Sequence, residues 1–192
     1  MWGVLTENSH MNEMQELTDL TKQLFLLPKT LLKNIHHKAL PELLLKKMCQ
    51  KNFFDLKQAV YCLDNPEFDC FKGIAGYNRA EPADLEQFDQ SESWDLEETH
   101  PIIVELVEHS FNQAIKNLRT NSFYKNYSEQ RLEKLYEFGK SVLQMEQPEI
   151  ISWESKHGNH GIFFYEPSDK NLLIARSSLL EYATSLLSLT HF

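Results

Sequence analysis

Apolar and polar residues alternate with the period of an α-helix through the first third of the chain. Apolar residues recur every three or four positions from Met11 to Leu24, which predicts an amphipathic helix that ends near Pro28. Pro41 suits the first turn of a later helix because its ring has no N–H to lose. The same spacing predicts three further helices, over residues 31–39, 41–49 and 55–63.

A longer stretch with helical period follows Pro101. Apolar residues from Ile103 to Leu118 lie on one face of this predicted helix, and polar residues that include Asn112 lie on the other. Another helix is predicted over residues 128–147, between a serine that suits the N-cap position and a proline that ends the helix.

The pattern then changes to short runs of β-branched and aromatic residues. Runs at 150–153, 162–165 and 172–174 are separated by turn residues, which predicts a three-stranded antiparallel meander. Ser178 and Glu181 match a capping box, in which each side chain bonds to a free backbone N–H, and this motif opens a last helix.

Residues 64–99 show no sustained period and are rich in acidic residues, with scattered Gly and Pro. Within them, the stretch 72–79 combines two glycines with two basic residues, which indicates either an anion cradle or a chain bend that packs Ile74 and Tyr77. We favour the bend because the stretch lacks the established phosphate-binding motifs. A connection this long is unusual inside a compact domain, so we expect it to be functional, partly disordered, or composed of elements that the pattern does not reveal.

These elements together predict the α+β class. We expect a predominantly α fold of about six helices with a small three-stranded antiparallel meander near the C-terminus. The chain is predicted to form a single domain over residues 1–192. Its helical part, 11–147, contains the irregular acidic segment 64–99, and its C-terminal part, 149–192, holds the meander and the last helix.

The composition is that of a folded globular protein, with 42% hydrophobic and 11% aromatic residues. The chain has neither a signal-peptide pattern at its start nor a run of about 18 apolar residues, so we expect no membrane partner. Cys49, Cys62 and Cys70 are an odd number without paired metal-site spacing, which favours reduced thiols and a cytoplasmic protein. We expect Cys49 and Cys62 to pack on helix faces as small hydrophobes.

Negative charge is concentrated in one region of the chain. The net charge is −9, yet residues 61–110 contain 13 acidic and 2 basic residues, residues 1–60 carry +2, and residues 111–192 are neutral. An acidic surface of this kind repels phosphate backbones, so we expect no nucleic-acid partner. It attracts a basic protein by long-range electrostatic steering.

The acidic run from 80 to 114 has ten Asp or Glu residues and no Lys or Arg. It is either a solvated connector or an interaction surface in which Phe88 and Trp94 act as apolar anchors. Our leading hypothesis is a non-enzymatic protein-binding domain of the inhibitor, immunity or adaptor type, which presents this surface to a basic protein and needs no cofactor. The residues predicted to contact the partner are Asp84, Glu86, Phe88, Asp89, Glu92, Trp94, Asp95, Glu97 and Glu98.

A metal-binding protein or metal-dependent hydrolase is the alternative hypothesis. The helix predicted from Pro101 places Glu105 and His109 four residues apart on one face. These spacings match no established metal motif, and the same residues also fit an exposed acidic helix face. The predicted ligands are His100, Glu105, Glu108 and His109, with the turn of His157 and His160 folded against them.

Overall fold

A computed structural model describes residues 3–80, 101–125 and 129–190 of the chain. Its helices are α1 (Gly3–Lys33), α2 (Leu40–Cys49), α3 (Pro101–Glu108), α4 (Ser110–Lys116), α5 (Arg131–Ser141), α6 (Lys170–Ala175) and α7 (Ser177–Ser185). Its strands are β1 (Leu56–Asn65), β2 (Cys70–Asn78), β3 (Arg119–Thr120), β4 (Glu149–Glu154) and β5 (His160–Pro167). Two 3₁₀ segments cover Lys156–Gly158 and Leu186–Thr190.

The strands form one five-stranded antiparallel sheet in the order β3-β2-β1-β5-β4. β1 lies at the centre and pairs along almost its whole length with β2 on one side and β5 on the other. The prediction of a three-stranded meander near the C-terminus is therefore wrong. The strands predicted at 150–153 and 162–165 are present in β4 and β5, but they extend a hairpin that the first half of the chain contributes.

β1 replaces the helix that the pattern predicts over residues 55–63. Most residues of β1 are buried, because helices cover both faces of the sheet. A strand that is buried on both faces has a near-continuous apolar run, so its period does not distinguish it from a buried helix. The sequence Val60-Tyr61-Cys62 at its centre has the β-branched and aromatic character of a strand. Here the residue types, and not the period, indicate a strand.

β2 occupies the stretch for which the sequence predicts a bend. Gly73 and Gly76 lie where α4 packs on the strand, and a Cβ atom at either position would collide with Ile115. The N–H of Gly73 also donates to the carbonyl of Leu118 at 3.2 Å. The two glycines therefore allow a close approach between helix and strand, and the stretch forms neither a bend nor an anion cradle.

The first helix is longer than its sequence pattern predicts. α1 continues through Pro28 to Lys33 and includes the start of the predicted second helix. Buried leucines lie both before and after the proline, from Leu24 to Leu31. Packing of this leucine face therefore outweighs the backbone hydrogen bond that the proline cannot make.

Two other elements differ from their predictions. The helix predicted from Pro101 is interrupted at His109, where the backbone is extended with ψ near 136°, and α4 begins at the next residue. Residues 172–174 lie in α6 and not in a strand. A three-residue apolar run carries too little periodicity to separate the two structures.

Two cores lie on opposite faces of the sheet. One joins α1, α2 and α7 to side chains such as Tyr61 and Phe163, and the other joins α4 and α5 to Val60 and Phe164. Successive residues of β1 thus point into different cores, as the period of a strand requires. Cys49 and Cys62 are buried as predicted, but Cys62 lies on β1 and not on a helix.

Candidate functional site

The central part of the predicted acidic surface lies outside the described residues. All nine residues predicted to contact a partner, from Asp84 to Glu98, fall between 81 and 100, as does His100. Their exposure and contacts stay predictions. The structure does describe the acidic residues on either side of this segment, and these residues divide into two groups.

Asp64 and Asp69 belong to the first group, whose carboxylates have partners within the protein. Asp64 is fully buried and accepts hydrogen bonds from the Ser122 hydroxyl and, at 2.7 Å, from the Phe123 N–H. Asp69 accepts from Lys125 Nζ at 2.8 Å and from the Ser122 N–H at 3.1 Å. The bond from Lys125 holds the pKa of Asp69 below its ordinary value.

Glu105 and Glu108 belong to the second group, whose carboxylates project from α3 into solvent. Both are exposed, and Val104, which precedes Glu105, is 39% exposed. No Lys or Arg occurs in the sequence from residue 80 to residue 114. Among the described residues, Glu105 and Glu108 on α3 and Glu67 at the β1–β2 turn are thus exposed, whereas Asp64 and Asp69 are held within the fold.

The structure brings three of the four predicted metal ligands to one shallow depression. Glu105, Glu108 and His109 line it together with Val104, because His109 directly follows α3. Among the described residues, however, no group of three or more His, Cys, Asp or Glu side chains is placed to hold a metal ion. His160 packs against Tyr124 instead, and His157 is exposed at a left-handed position with φ of 60°.

A polar cluster that the sequence did not predict lies at one end of the sheet. His160 on β5 lies opposite Asp64 in register and stacks on Tyr124, with ring centroids 3.8 Å apart. The guanidinium of Arg131 also packs on the Tyr124 ring, 4.1 Å from its centroid. The Tyr124 hydroxyl donates to Ser152 Oγ at 3.0 Å. These contacts fasten the segment before α5 to three strands.

The hydrogen bonding of this cluster indicates a structural role. The Ser122 hydroxyl donates to Asp64, and its oxygen accepts the N–H groups of Tyr124 and Lys125. A serine nucleophile would instead donate to a base such as His160. Burial lowers the pKa of His160, and the nearby Asp64 opposes that shift. The residues of this cluster are far apart in the sequence, so no local spacing predicts that they meet.

A second buried polar cluster joins α2, α4 and β2. Glu42 is 1% exposed and forms an ion pair with Lys116. Asn112, which the sequence places on a polar helix face, is fully buried; its Nδ2 lies 3.4 Å from Glu42 Oε1, and its Oδ1 accepts the Gly76 N–H at 3.0 Å. This network fixes the helix over the glycines of β2, which is again a structural role.

Cys49 and Cys62 are not reactive nucleophiles in this fold. Burial raises the pKa of Cys49 and of Cys62 far above the ordinary thiol value. Their thiols therefore stay protonated and serve as small apolar groups.

Helix α1 exposes apolar side chains that the sequence assigned to no surface. Met14, Phe25 and Leu32 are 66%, 78% and 58% exposed, and their positions repeat at helical spacing on one side. The buried leucines of the same helix lie on a neighbouring side. The apolar face of α1 is thus wider than the core that it covers.

No protein-family model, no curated protein and no solved structure matches this chain. Over the described residues, none of the helices is both long enough and apolar enough to cross a membrane.

Proposed function

We propose that the chain is a non-enzymatic protein-binding domain that presents an acidic surface to a basic protein partner. The observation that carries this proposal is the run from residue 80 to residue 114, which has ten carboxylates and no Lys or Arg. Its two described members, Glu105 and Glu108, are exposed. Unpaired carboxylates on one surface attract a basic protein and orient it during encounter.

The distribution of the other acidic residues supports the same proposal. Asp64 and Asp69 are held by hydrogen bonds within the fold, so they compete little for an external cation. Potentially reactive side chains also have partners within the fold. Ser122 bonds to Asp64, His160 stacks on Tyr124, and the thiols of Cys49 and Cys62 are buried in the core. This use of reactive groups in packing favours binding over catalysis.

A charge-removal variant tests the proposal. The variant replaces Glu92, Asp95, Glu97 and Glu98 together with Ser, and capture of proteins on the immobilised domain is measured from 50 to 300 mM salt. We expect the wild type to retain a basic protein at low salt and to release it as the salt concentration rises, because screening shortens the reach of exposed charges. The variant should lose this capture.

A matched control removes the same charge from another surface. Glu67, Glu129, Glu133 and Glu137 are all exposed and lie outside the acidic run. Their replacement with Ser should leave capture unchanged. Equal loss in the two variants would attribute the effect to net charge alone, and unchanged capture by the first variant would refute the proposed surface.

A further inference from the structure

Strand β4 forms an open edge of the sheet. β4 is the terminal strand, and in the described part of the chain its backbone pairs only with β5. Alternate residues of an edge strand point their N–H and C=O groups away from the sheet. No residue of β4 is buried, whereas most of β1 is. The strand therefore presents unpaired backbone groups along its length.

The edge also lacks the features that usually block strand addition. Its pairing with β5 runs through six residue pairs from Glu149 to Glu154 without a register shift, so no β-bulge twists it away. It contains neither Lys nor Pro, and Pro148 lies just before it. The opposite edge differs, because β3 is only two residues long. Natural proteins shorten, bend or charge their edges. The charged residues of β4, Glu149 and Glu154, lie at its two ends, so the four residues between them are suited to pairing.

Apolar side chains on α5 flank this edge. Phe138 packs on Phe71 of β2 and on Phe123, so that flank of the helix faces the interior of the sheet. Leu132 and Tyr136 lie on the other flank, on the side of Gly139, which packs against Pro148 just before β4. They are 68% and 40% exposed, and Lys140 Nζ lies 4.8 Å from the centroid of the Tyr136 ring. A strand added beside β4 would cover these two side chains and would gain apolar contact as well as backbone hydrogen bonds.

Carboxylates at the two ends of β4 define the charge of the partner. Glu154 is exposed, and Glu149 is half-exposed and pairs with Lys170 at 3.2 Å. Such a surface ion pair exchanges partners at little cost. Between the two glutamates lie Ile150, Ile151, Ser152 and Trp153. A complementary strand would therefore have basic residues at its ends and alternating apolar residues at its centre.

We propose that β4 accepts an extended basic segment of a partner protein as a sixth strand of the sheet. The basic charge of that segment rests on the proposed function, whereas the pairing itself rests on the geometry of the edge. Backbone bonds would supply affinity, and Leu132, Tyr136 and the two glutamates would select the sequence.

A capped synthetic peptide, Lys-Val-Thr-Val-Thr-Lys, is the probe. Its two lysines are five positions apart and so point to opposite faces of a strand, as Glu149 and Glu154 do on β4. Amide hydrogen exchange of the full chain is followed by NMR with and without the peptide. In the free protein, we expect alternate amides of β4 to exchange rapidly and the amides bonded to β5 to exchange slowly. Peptide addition should slow the rapid ones at least about tenfold. The same peptide methylated on two successive central nitrogens should have no effect, because it lacks a donor on each edge.

Variants at the strand ends test the charge selection. Glu149→Gln with Glu154→Gln should weaken peptide binding about 2- to 10-fold, the effect of two exposed ion pairs. The control, Glu67→Gln with Glu137→Gln, removes the same charge elsewhere and should leave binding unchanged. Glu67, Glu137 and Glu154 are exposed and the Glu149 side chain is 45% exposed, so the variants should fold.

The outcomes separate this inference from the proposed function. Protection that appears on α3 and not on β4 would overturn the edge site and retain the acidic surface. Equal protection of β4 by a peptide with glutamate ends would uphold the edge and overturn the basic partner. Protection of β4 that rises with protein concentration alone would identify a second copy of the chain as the occupant. A complete lack of protection would overturn the proposal.

Discussion

The acidic residues of this chain include a buried group of carboxylates and an exposed group. Glu42, Asp64 and Glu166 are at most 6% exposed, whereas Glu105 and Glu108 project from α3 into solvent. The buried group accepts hydrogen bonds or pairs with lysines inside the fold. The exposed group has no cationic residue near it in the sequence. A net charge counts both groups alike, but only the exposed one is available to a partner.

The buried carboxylates connect elements that are distant in the sequence. Asp64 on β1 holds the segment at Ser122, and Glu42 on α2 holds Lys116 at the end of α4. Glu166 on β5 accepts the N–H of Glu146 at 3.0 Å and fixes the approach to β4. Mutation of this group should therefore change stability, and mutation of the exposed group should change binding.

Asp64→Ala should have the largest effect on stability. The Ser122 hydroxyl and the Phe123 N–H would both lose their acceptor, and we expect the free energy of unfolding to fall by about 3 kcal/mol. Urea denaturation followed by circular dichroism measures this change. The control is Glu105→Ala, which should shift the free energy of unfolding by less than about 0.5 kcal/mol. Similar losses in the two variants would end the distinction between the groups.

Glu42→Gln should have a smaller effect. The amide oxygen still faces Asn112, but the ion pair with Lys116 is lost. Because the Lys116 side chain is about one-third exposed, it can turn toward water, and we expect a loss of about 1–2 kcal/mol in the free energy of unfolding. Glu108→Gln makes the same chemical change on the surface and should be nearly neutral in the same denaturation experiment. A neutral Glu42→Gln would show that the buried pair adds nothing to stability.

Elements with a clear local period could be predicted from the sequence, and the centre of the sheet could not. α2, α5, α7 and β4 are amphipathic or bounded by turn residues, so their signals are local. The predicted capping box of Ser178 and Glu181 is wrong in detail, because α7 begins at Ser177 with Arg176 at its N-cap and no side-chain cap bond. β1 is buried on both faces, and β2 carries Gly73 and Gly76 because α4 packs on it. Both strands are determined by the elements that pack on them, and the residue pattern along a single sequence does not show that packing.

The same limit applies to the candidate site. The acidic run was visible because charge can be counted along the chain, and Glu105 and Glu108 are exposed as their helix face predicts. Asp64 was counted in the acidic region 61–110, yet its partner Ser122 is 58 residues away. Only the sheet topology brings the two together, so composition alone overstated the extent of the acidic surface.

Asp69 is intermediate between the two groups, and its effect should depend on pH. Its carboxylate lies at the surface but accepts from Lys125 and from the Ser122 N–H, which lowers its pKa in the folded state below the ordinary 3.8. The unfolded chain then binds a proton at a higher pH than the folded protein. The stabilisation is fully present above the unfolded pKa of about 4, and it is lost as the pH falls through the folded pKa.

Asp69→Asn should therefore reduce the fall in folding stability that accompanies a decrease in pH. Urea midpoints measured from pH 7 to pH 2.5 should fall less steeply below pH 4 in the variant than in the wild type. The difference should shrink in 0.5 M salt, because an exposed pair is screened. Glu67→Gln, in the same hairpin and exposed, should leave the wild-type slope unchanged. If the Asp69→Asn profile runs parallel to the wild type, the Lys125 contact contributes nothing to folding, and Asp69 belongs with the carboxylates that are free to bind a partner.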